Sequence, residues 1–232
     1  NSALAIWNCP DVTLGNMYVS KGGYLDAATY QDNEGTSPEI TSNMNIGDIH
    51  VVADETRENA SSQLPISTSG EGSSVSFYGK TQANIKNIDI INGGYMDLDG
   101  DADVKVGHIS SDYSYLSVTN NKNDKKLPNL TVGDLSLNNG SEIAHVVWDD
   151  SKVIVEREAA GDFTLGRLNV NNSKINFGKE ASVTFDNKLA TNSGLYVSNG
   201  GAVNFNGTSE VAADMVKADA GTVSLKDSKG TF

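Results

Sequence analysis

The densest group of chemically capable side chains is a run of alternating aspartates, Asp97, Asp99, Asp101 and Asp103. On a straight strand, alternate side chains point to one face, so these carboxylates would repel one another unless a cation bound between them. Carboxylate oxygens of this kind suit calcium. An EF-hand loop that began at Asp97 would need glycine at its sixth position, whereas Gly100 is fourth. The run therefore gives Asp97, Asp99 and Asp101 as candidate calcium ligands, and the chain is otherwise expected to need no cofactor or metal.

The same aspartates raise the possibility of a polysaccharide lyase, in which calcium and a basic residue act together on an acidic sugar. Lys105 and Arg157 are the candidate bases. No strand register places either of them beside the acids, and no single carboxylate pair is marked out for glycoside hydrolysis. We therefore expect no catalytic residues, and a carbohydrate-active enzyme stays open as the alternative.

The remaining reactive side chains are few and scattered. Cys9 is the single cysteine, which excludes an intrachain disulfide and a multi-cysteine zinc site. The three histidines are far apart in sequence, and one of them, His145, lies in an apolar stretch. Trp148, followed by Asp149, has the form of a sugar-stacking site, although an aromatic that fills the interior is the alternative.

The charge balance narrows the class of partner. The chain has 232 residues, with 17 basic and 30 acidic side chains, which gives a formal net charge of -13. Such an excess of acid, with no basic run, argues against binding to nucleic acid or to an anionic membrane surface. No apolar run approaches the roughly 18 residues that a membrane span requires, so no membrane insertion by this chain is expected.

A repeated motif organises the sequence. Each copy reads apolar–polar–apolar, then an Asn/Gly corner, then apolar–polar–apolar, a second corner and a valine. A shorter motif, apolar–x–apolar–Gly–x–apolar, precedes several copies, and the repeats lie about 30 residues apart on average. The clearest copies of the long motif occupy residues 88–104, 168–183 and 195–211, and the short motif occurs at 12–17, 44–49, 104–109, 130–135 and 163–168.

The repeats predict an all-β fold. Alternation over three to five residues is the period of a strand with one buried face. A unit of about three short strands cannot bury its apolar face alone, so it must stack on its neighbours, as in a parallel β-helix. The usual preference of parallel crossovers makes a right-handed coil the expected form. Ile175, Phe177, Val203 and Phe205 are then interior. An antiparallel sandwich or barrel is the competing fold, but it would not need the same order of strand and corner in every unit.

Two polar stretches interrupt the repeats, at about residues 53–74 and 119–129. Because the motif resumes after each, both are predicted to be loop excursions from one β-helical domain that spans residues 1–232. The domain is expected to be a fragment of a longer protein.

The repeat pattern resembles the passenger region of autotransporters, the type V secreted proteins of the bacterial surface. The resemblance is carried by residues 168–183, 195–211 and 88–104, and more loosely by most of the chain. It implies a non-catalytic, surface-displayed or extracellular module for adhesion, self-association and biofilm formation.

On that resemblance, the partners would be a second copy, a host receptor or a glycan. Outward side chains and loops would make the contacts, and an inert spacer is a further alternative. The interaction candidates are Trp148, Asp149, Asn176, Asn204, Arg57 and Lys125.

Overall fold

The computed structural model describes residues 3–29, 40–53, 73–121, 126–149, 152–207 and 210–231. Over these ranges the chain forms strands, turns and short loops, and it contains no helix that is long and apolar enough to span a membrane. In chain order the strands are β1 (Ala3–Trp7), β2 (Asp11–Leu14), β3 (Met17–Ser20), β4 (Tyr24–Ala28), β5 (Ser42–Val52), β6 (Ser74–Tyr78), β7 (Thr81–Ile91), β8 (Tyr95–Asp99), β9 (Asp103–Asp112), β10 (Tyr115–Asn121), β11 (Asn129–Asn138), β12 (Glu142–Asp149), β13 (Lys152–Glu156), β14 (Ala159–Asn171), β15 (Lys174–Phe185), β16 (Gly194–Ser198), β17 (Ala202–Asn206), β18 (Glu210–Ala212), β19 (Val216–Asp219), β20 (Thr222–Lys226) and β21 (Gly230–Thr231).

The strands form two sheets whose neighbours are parallel with one exception. The first sheet has the order β1-β4-β6-β8-β10-β12-β13, and its last pair, β12 with β13, is antiparallel. The second sheet has 14 strands, nine of which follow the path β2-β5-β7-β9-β11-β14-β15-β17-β20, and all of its described pairs are parallel. The prediction of an all-β fold is confirmed, and among the described strand pairs only β12 with β13 is antiparallel, whereas a sandwich or an up-and-down barrel is built from antiparallel pairs.

The interior is built from aligned rows of apolar side chains. In the first sheet, strand register joins Leu25, Val75, Met96, Leu116 and Ile143, and all five are buried. Alternate side chains of a strand point to opposite faces of the sheet. Side chains at every second position therefore reach the interior, and the side chains between them point away from it.

The predicted interior residues of the C-terminal half are confirmed. Ile175, Phe177, Val203 and Phe205 are each 0% exposed. Phe177 pairs with Phe205 across the parallel strands, and their rings stack with centroids 5.3 Å apart. Phe163 meets Phe177 edge to face at 5.5 Å. Aromatic pairs of these two geometries add to the stabilisation that burial alone provides.

Asparagine and glycine form the predicted corners between strands. A left-handed backbone is tolerated by asparagine and costs glycine nothing, so such a pair turns the chain sharply. At three corners both residues of an Asn-Gly pair have positive φ: Asn92 (55°) with Gly93 (85°), Asn139 (52°) with Gly140 (85°), and Asn199 (50°) with Gly200 (79°).

The shorter motif marks a phase shift inside the long strands of the second sheet. In β9, Val106 and Ile109 are both buried, so the alternation moves by one residue at the intervening Gly107. A Cβ atom on Gly107 would lie 2.5 Å from the carbonyl oxygen of Lys86 on the neighbouring strand. Glycine is needed here because two backbones approach closely.

The two predicted excursions fall partly outside the described residues. Residues 54–72, which include Arg57, and residues 122–125, which include Lys125, are among those that the structure does not describe. The second excursion begins later than predicted, because β10 continues to Asn121 and pairs there with β12. At its other end β11 already begins at Asn129.

Candidate functional site

The first sheet loses its parallel order at β12, and a cleft lies beside this interruption. From β4 to β12 each strand is followed on its far edge by the next parallel strand. The far edge of β12 instead receives β13, which runs antiparallel and pairs Glu156 with His145. After β14, the strand β15 pairs through Lys174–Phe177 with β17.

A cleft of about 910 Å³ lies between the end of the first sheet and β14, β15 and β17. This volume is within the range of small-molecule and sugar sites. Its polar lining consists of Asn120, His145, Glu156, Glu158, Lys179, Glu180 and Asn206, and its apolar lining of Leu127, Val147, Ala159, Ala160 and Gly178.

Two polar side chains occupy interior positions at the base of the cleft. His145 continues the interior row that contains Phe77, Leu98 and Val118, and it is 3% exposed. Asn120, on the same face of β10, is 6% exposed. Elsewhere in this row the side chains are apolar, so the change to polar residues coincides with the interruption of the ladder.

His145 is held by oxygen atoms on both sides of its ring. Its Nε2 atom lies 3.1 Å from Oδ1 of Asn120, and its Nδ1 atom lies 3.4 Å from Oε2 of Glu156. A neutral imidazole donates from one nitrogen and accepts at the other, so the Asn120 amide orientation and the histidine tautomer are set together. This contact network fixes the ring and places the Glu156 carboxylate at the cleft.

The floor of the cleft is shaped by a bulge in β14. Its pairing with β15 is irregular between Ala159 and Gly161, and Gly161 has a φ of 106°, which favours glycine. A bulge re-aims the side chains beside it. Ala159 and Ala160 are buried and give the floor an apolar surface.

Glu158 is positioned by a glycine and an amide. A Cβ atom on Gly178 would lie 3.0 Å from Oε2 of Glu158, so glycine leaves the space that this side chain occupies. Asn206 donates from Nδ2 to Oε1 of Glu158 at 3.1 Å. Because one carboxylate oxygen is already engaged, the side chain is partly preorganised for a ligand on the other.

Acid predominates around the cleft. Among the lining residues that the structure describes, Glu156, Glu158 and Glu180 contribute three carboxylates and Lys179 is the one lysine or arginine. All four side chains belong to exposed residues, so water and salt reach them. The cleft therefore combines an apolar floor, a buried His145–Asn120 pair and an exposed acidic rim.

The alternating aspartates are placed differently from one another. Asp97 lies on the outward face of β8, where it accepts hydrogen bonds from the hydroxyls of Ser117 at 2.5 Å and Thr119 at 2.8 Å. Asp101 lies beyond the strand in a turn and pairs with Lys126 at 2.7 Å. Over the ranges that the structure describes, no three His, Cys, Asp or Glu side chains are grouped to hold a metal ion.

Burial of the carboxyl group is the main influence on Asp97 and raises its pKa above the usual value, although hydrogen bonds from Ser117, Thr119 and Tyr78 act in the opposite direction. Burial also raises the pKa of the Tyr78 hydroxyl, with a further contribution from the Asp97 charge. Perturbed pKa values occur at functional sites and in structural networks alike. Here the partners are hydroxyl groups on neighbouring strands, which favours a structural role.

The candidate bases Arg157 and Lys105 contact Glu142 and Asp103, which are not among the candidate calcium ligands. Arg157 donates from Nη1 to both carboxylate oxygens of Glu142, at 2.5 and 2.6 Å. Lys105 lies 3.9 Å from Asp103, its own neighbour on β9. Cys9 is half-buried against the core. The structure does not bring Lys105 or Arg157 together with Asp97, Asp99 and Asp101 as a lyase site.

The predicted outward interaction residues have varied surroundings. Asn176 and Asn204 belong to a chain of amide hydrogen bonds: Asn176 donates to the Arg157 carbonyl at 3.1 Å, and Asn204 donates to Oδ1 of Asn176 at 2.9 Å. Trp148 and Asp149 lie at the end of β12, where their backbones pair with Val153 and Lys152. The amide chain ties neighbouring strands together within the molecule.

The sequence prediction did not identify the cleft. The sequence pattern places Asn120 in the second predicted excursion and marks His145 only by its apolar surroundings. The sequence signal that points to the cleft is a polar residue at a position where the alternating pattern predicts an apolar one. Nothing in the sequence 152–156 distinguishes an antiparallel strand from a parallel one, so the interruption itself carried no sequence signal.

Comparison with protein-family profiles, with curated proteins and with solved structures returns no match for this chain. The cleft geometry and the repeat pattern are therefore the grounds on which a function can be assigned.

Proposed function

We propose that this chain is a right-handed parallel β-helix from a bacterial surface-displayed, autotransporter-like passenger protein, and that it acts as a non-catalytic adhesion module. Its ligand is a glycan, and the contact surface is the cleft between β12, β13 and β15. The observation that carries the proposal is the replacement of interior apolar residues by His145 and Asn120 where the ladder is interrupted.

Several features support glycan binding in the cleft. Sugars present an apolar ring face and a rim of hydroxyl groups, and sites that bind them need matching surfaces. The apolar floor of Ala159, Ala160 and Val147 suits the ring face, whereas Glu158, Asn206 and Glu156 can hydrogen-bond hydroxyl groups. The cleft is open at the surface, so one or two units of a longer chain can enter it.

Binding to a glycan is preferred here to self-association through the outward asparagines. The amides of Asn176 and Asn204 already hydrogen-bond to neighbouring strands. A partner would have to replace these bonds, and the net gain from exchanging one hydrogen bond for another is small.

The proposal is tested by screening the purified chain on a glycan array beside two matched variants. Asn206→Trp places a bulky ring at the rim of the cleft. Lys226→Trp places the same ring at the register partner of Asn206 on β20, outside the cleft lining. We expect the unmodified chain and Lys226→Trp to bind the same glycans, and Asn206→Trp to lose them.

Three results would overturn the proposal. If the unmodified chain binds no glycan, the cleft has no such ligand and a spacer becomes the better assignment. If Asn206→Trp binds as well as Lys226→Trp, the contact lies elsewhere. If mass spectrometry shows that the bound glycan is shortened, the module is an enzyme. The proposed hand is tested separately, because an experimental structure with left-handed crossovers would contradict a right-handed β-helix.

A further inference from the structure

We infer that the cleft selects glycans that carry a free, protonated amino group, such as glucosamine units, over their N-acetylated counterparts. This inference rests on the proposed function and deepens it by naming the class of ligand. It arises from the arrangement of charge around a formed cavity, not from the acidic composition of the chain.

A ligand in the cleft meets a surplus of negative charge. Among the described lining residues, Glu156, Glu158 and Glu180 carry three carboxylates, and Lys179 carries a single ammonium group. An amino sugar brings a positive charge into this surplus of negative charge. A neutral sugar gains no such attraction, and an acidic sugar is repelled.

Two of these carboxylates, those of Glu158 and Glu156, are held by neighbouring side chains. Glu158 accepts a hydrogen bond from Asn206 on Oε1, and its Oε2 atom lies over Gly178 on the cleft floor. Glu156 is held through Oε2 by His145 and has an exposed side chain. Two carboxylates are thus fixed by neighbours on different strands, and an ammonium group can bind between them without first ordering flexible side chains.

The base of the cleft is mostly apolar. Apart from the His145–Asn120 pair, the buried lining is apolar, with Val147, Ala159 and Ala160 as its floor. An apolar floor under an acidic rim suits a ring whose carbon–hydrogen face points inward and whose amino group points to the rim. An acetyl group on that nitrogen would remove the charge and place a methyl group among carboxylates.

The size of the preference follows from the exposure of the rim. An exposed ion pair contributes about 0.2–1 kcal/mol, so two such contacts give about a ten-fold preference at low salt. Screening reduces it as the ionic strength rises, because the Debye length falls from about 30 Å at 0.01 M to about 3 Å at 1 M.

The test uses calorimetric titration with two matched probes, a β-1,4-linked glucosamine tetramer and its fully N-acetylated form, at about pH 6, where a free amine is protonated. We expect about ten-fold tighter binding of the amine form by the unmodified chain. In the variant Glu156→Gln/Glu158→Gln, which keeps side-chain shape and removes the two carboxylates argued to hold the ammonium group, the two tetramers should bind alike. Asp11→Asn, which removes an exposed charge on β2 at the far end of the second sheet, should keep the preference.

Failure of this inference is distinguishable from failure of the proposed function. Equal binding of both tetramers by the unmodified chain, or tighter binding of the acetylated form, would overturn the amine preference and leave glycan binding intact. A preference that persists in Glu156→Gln/Glu158→Gln would also overturn it. If the array screen and both titrations detect no binding, the proposed function fails together with the inference.

Discussion

Two regions of the interior, a continuous end around Phe177 in the second sheet and an interrupted end at His145 in the first sheet, show what an unbroken strand ladder requires and what its interruption permits. Around Phe177, parallel strands lie on both sides, and the ring is fully buried against Phe205 and Phe163. At His145 the next strand is antiparallel, and the interior face of β12 opens into a cleft. An apolar residue is needed where the next layer excludes water, whereas a polar residue is tolerated and useful where it does not.

The largest expected effect is at the continuous end of this comparison. Phe177→Ala removes a ring that contacts two other rings in a closed interior, and we expect the free energy of unfolding to fall by about 3–5 kcal/mol. Urea denaturation followed by circular dichroism measures this change. The control, Tyr18→Ala, removes a ring that is 70% exposed and should change the stability by less than about 0.5 kcal/mol. Similar losses in both variants would contradict the packing described.

The next largest effect is expected at Gly107, where the alternating pattern of β9 shifts by one residue. Gly107→Ala would place a methyl group against the carbonyl oxygen of Lys86, so the two backbones must separate. We expect a loss of about 2 kcal/mol in the free energy of unfolding. Gly15→Ala is the matched control, because no atom lies within 4 Å of its added Cβ. If both variants unfold at the same denaturant concentration, close backbone approach does not explain the glycine motif.

A smaller effect is expected at the interrupted end. His145→Leu leaves the buried Asn120 amide without its ring partner, which costs about 1 kcal/mol, near the lower limit for a buried polar group because the cleft admits water. Replacing both residues, in Asn120→Leu/His145→Leu, should recover most of the loss. Thermal unfolding of these two variants and of Asn120→Leu completes a double-mutant cycle and measures the coupling. Additive losses would mean that the pair is not coupled in the way its geometry indicates.

The smallest effect is a change in pH dependence at Asp97. Its pKa in the folded protein lies above the unfolded value of 3.8, so the folded state holds the proton more tightly. The stability that this group contributes is therefore present below pH 3.8 and is lost as the pH rises through the folded-state pKa. Asp97→Asn should accordingly gain stability relative to the unmodified chain when the pH is raised from 3 to 7.

Asp48 provides the control of opposite sign. A hydrogen bond from Asn87 is the main cause that lowers the pKa of Asp48 below 3.8. Its contribution to stability is present above pH 3.8 and is lost as the pH falls through the folded-state pKa. Asp48→Asn should thus lose stability relative to the unmodified chain over the same rise in pH. If both variants shift in the same direction, the assigned environments are wrong.

Much of the fold could be predicted because its signals are local. Alternation at Ile175 and Phe177 identified a strand and its buried face, and the recurrence of that pattern at Val203 and Phe205 identified its neighbour. Asn92, Asn139 and Asn199 marked corners because asparagine tolerates the left-handed backbone that they adopt. The end of β10 could not be predicted from the sequence. Thr119, Asn120 and Asn121 are polar and continue the polar stretch that follows them, and they form a strand because they pair with β12.

The site could not be predicted in the same way. The alternating pattern of residues 152–156 reads the same in either strand direction, so the sequence holds no sign that β13 runs antiparallel. His145 belongs to a cleft only because of that direction, and Glu158 belongs to it only because Gly178, twenty positions later, leaves room for its carboxylate.

The amino-acid sequence by itself determined the strands, the corners and the residues that face inward, since each depends on neighbours within a few positions. Tertiary structure alone decided where the stack of strands is interrupted and which side chains meet there. The physical reason is that register and direction are set by pairing between residues far apart in the chain, for which the local pattern carries no information.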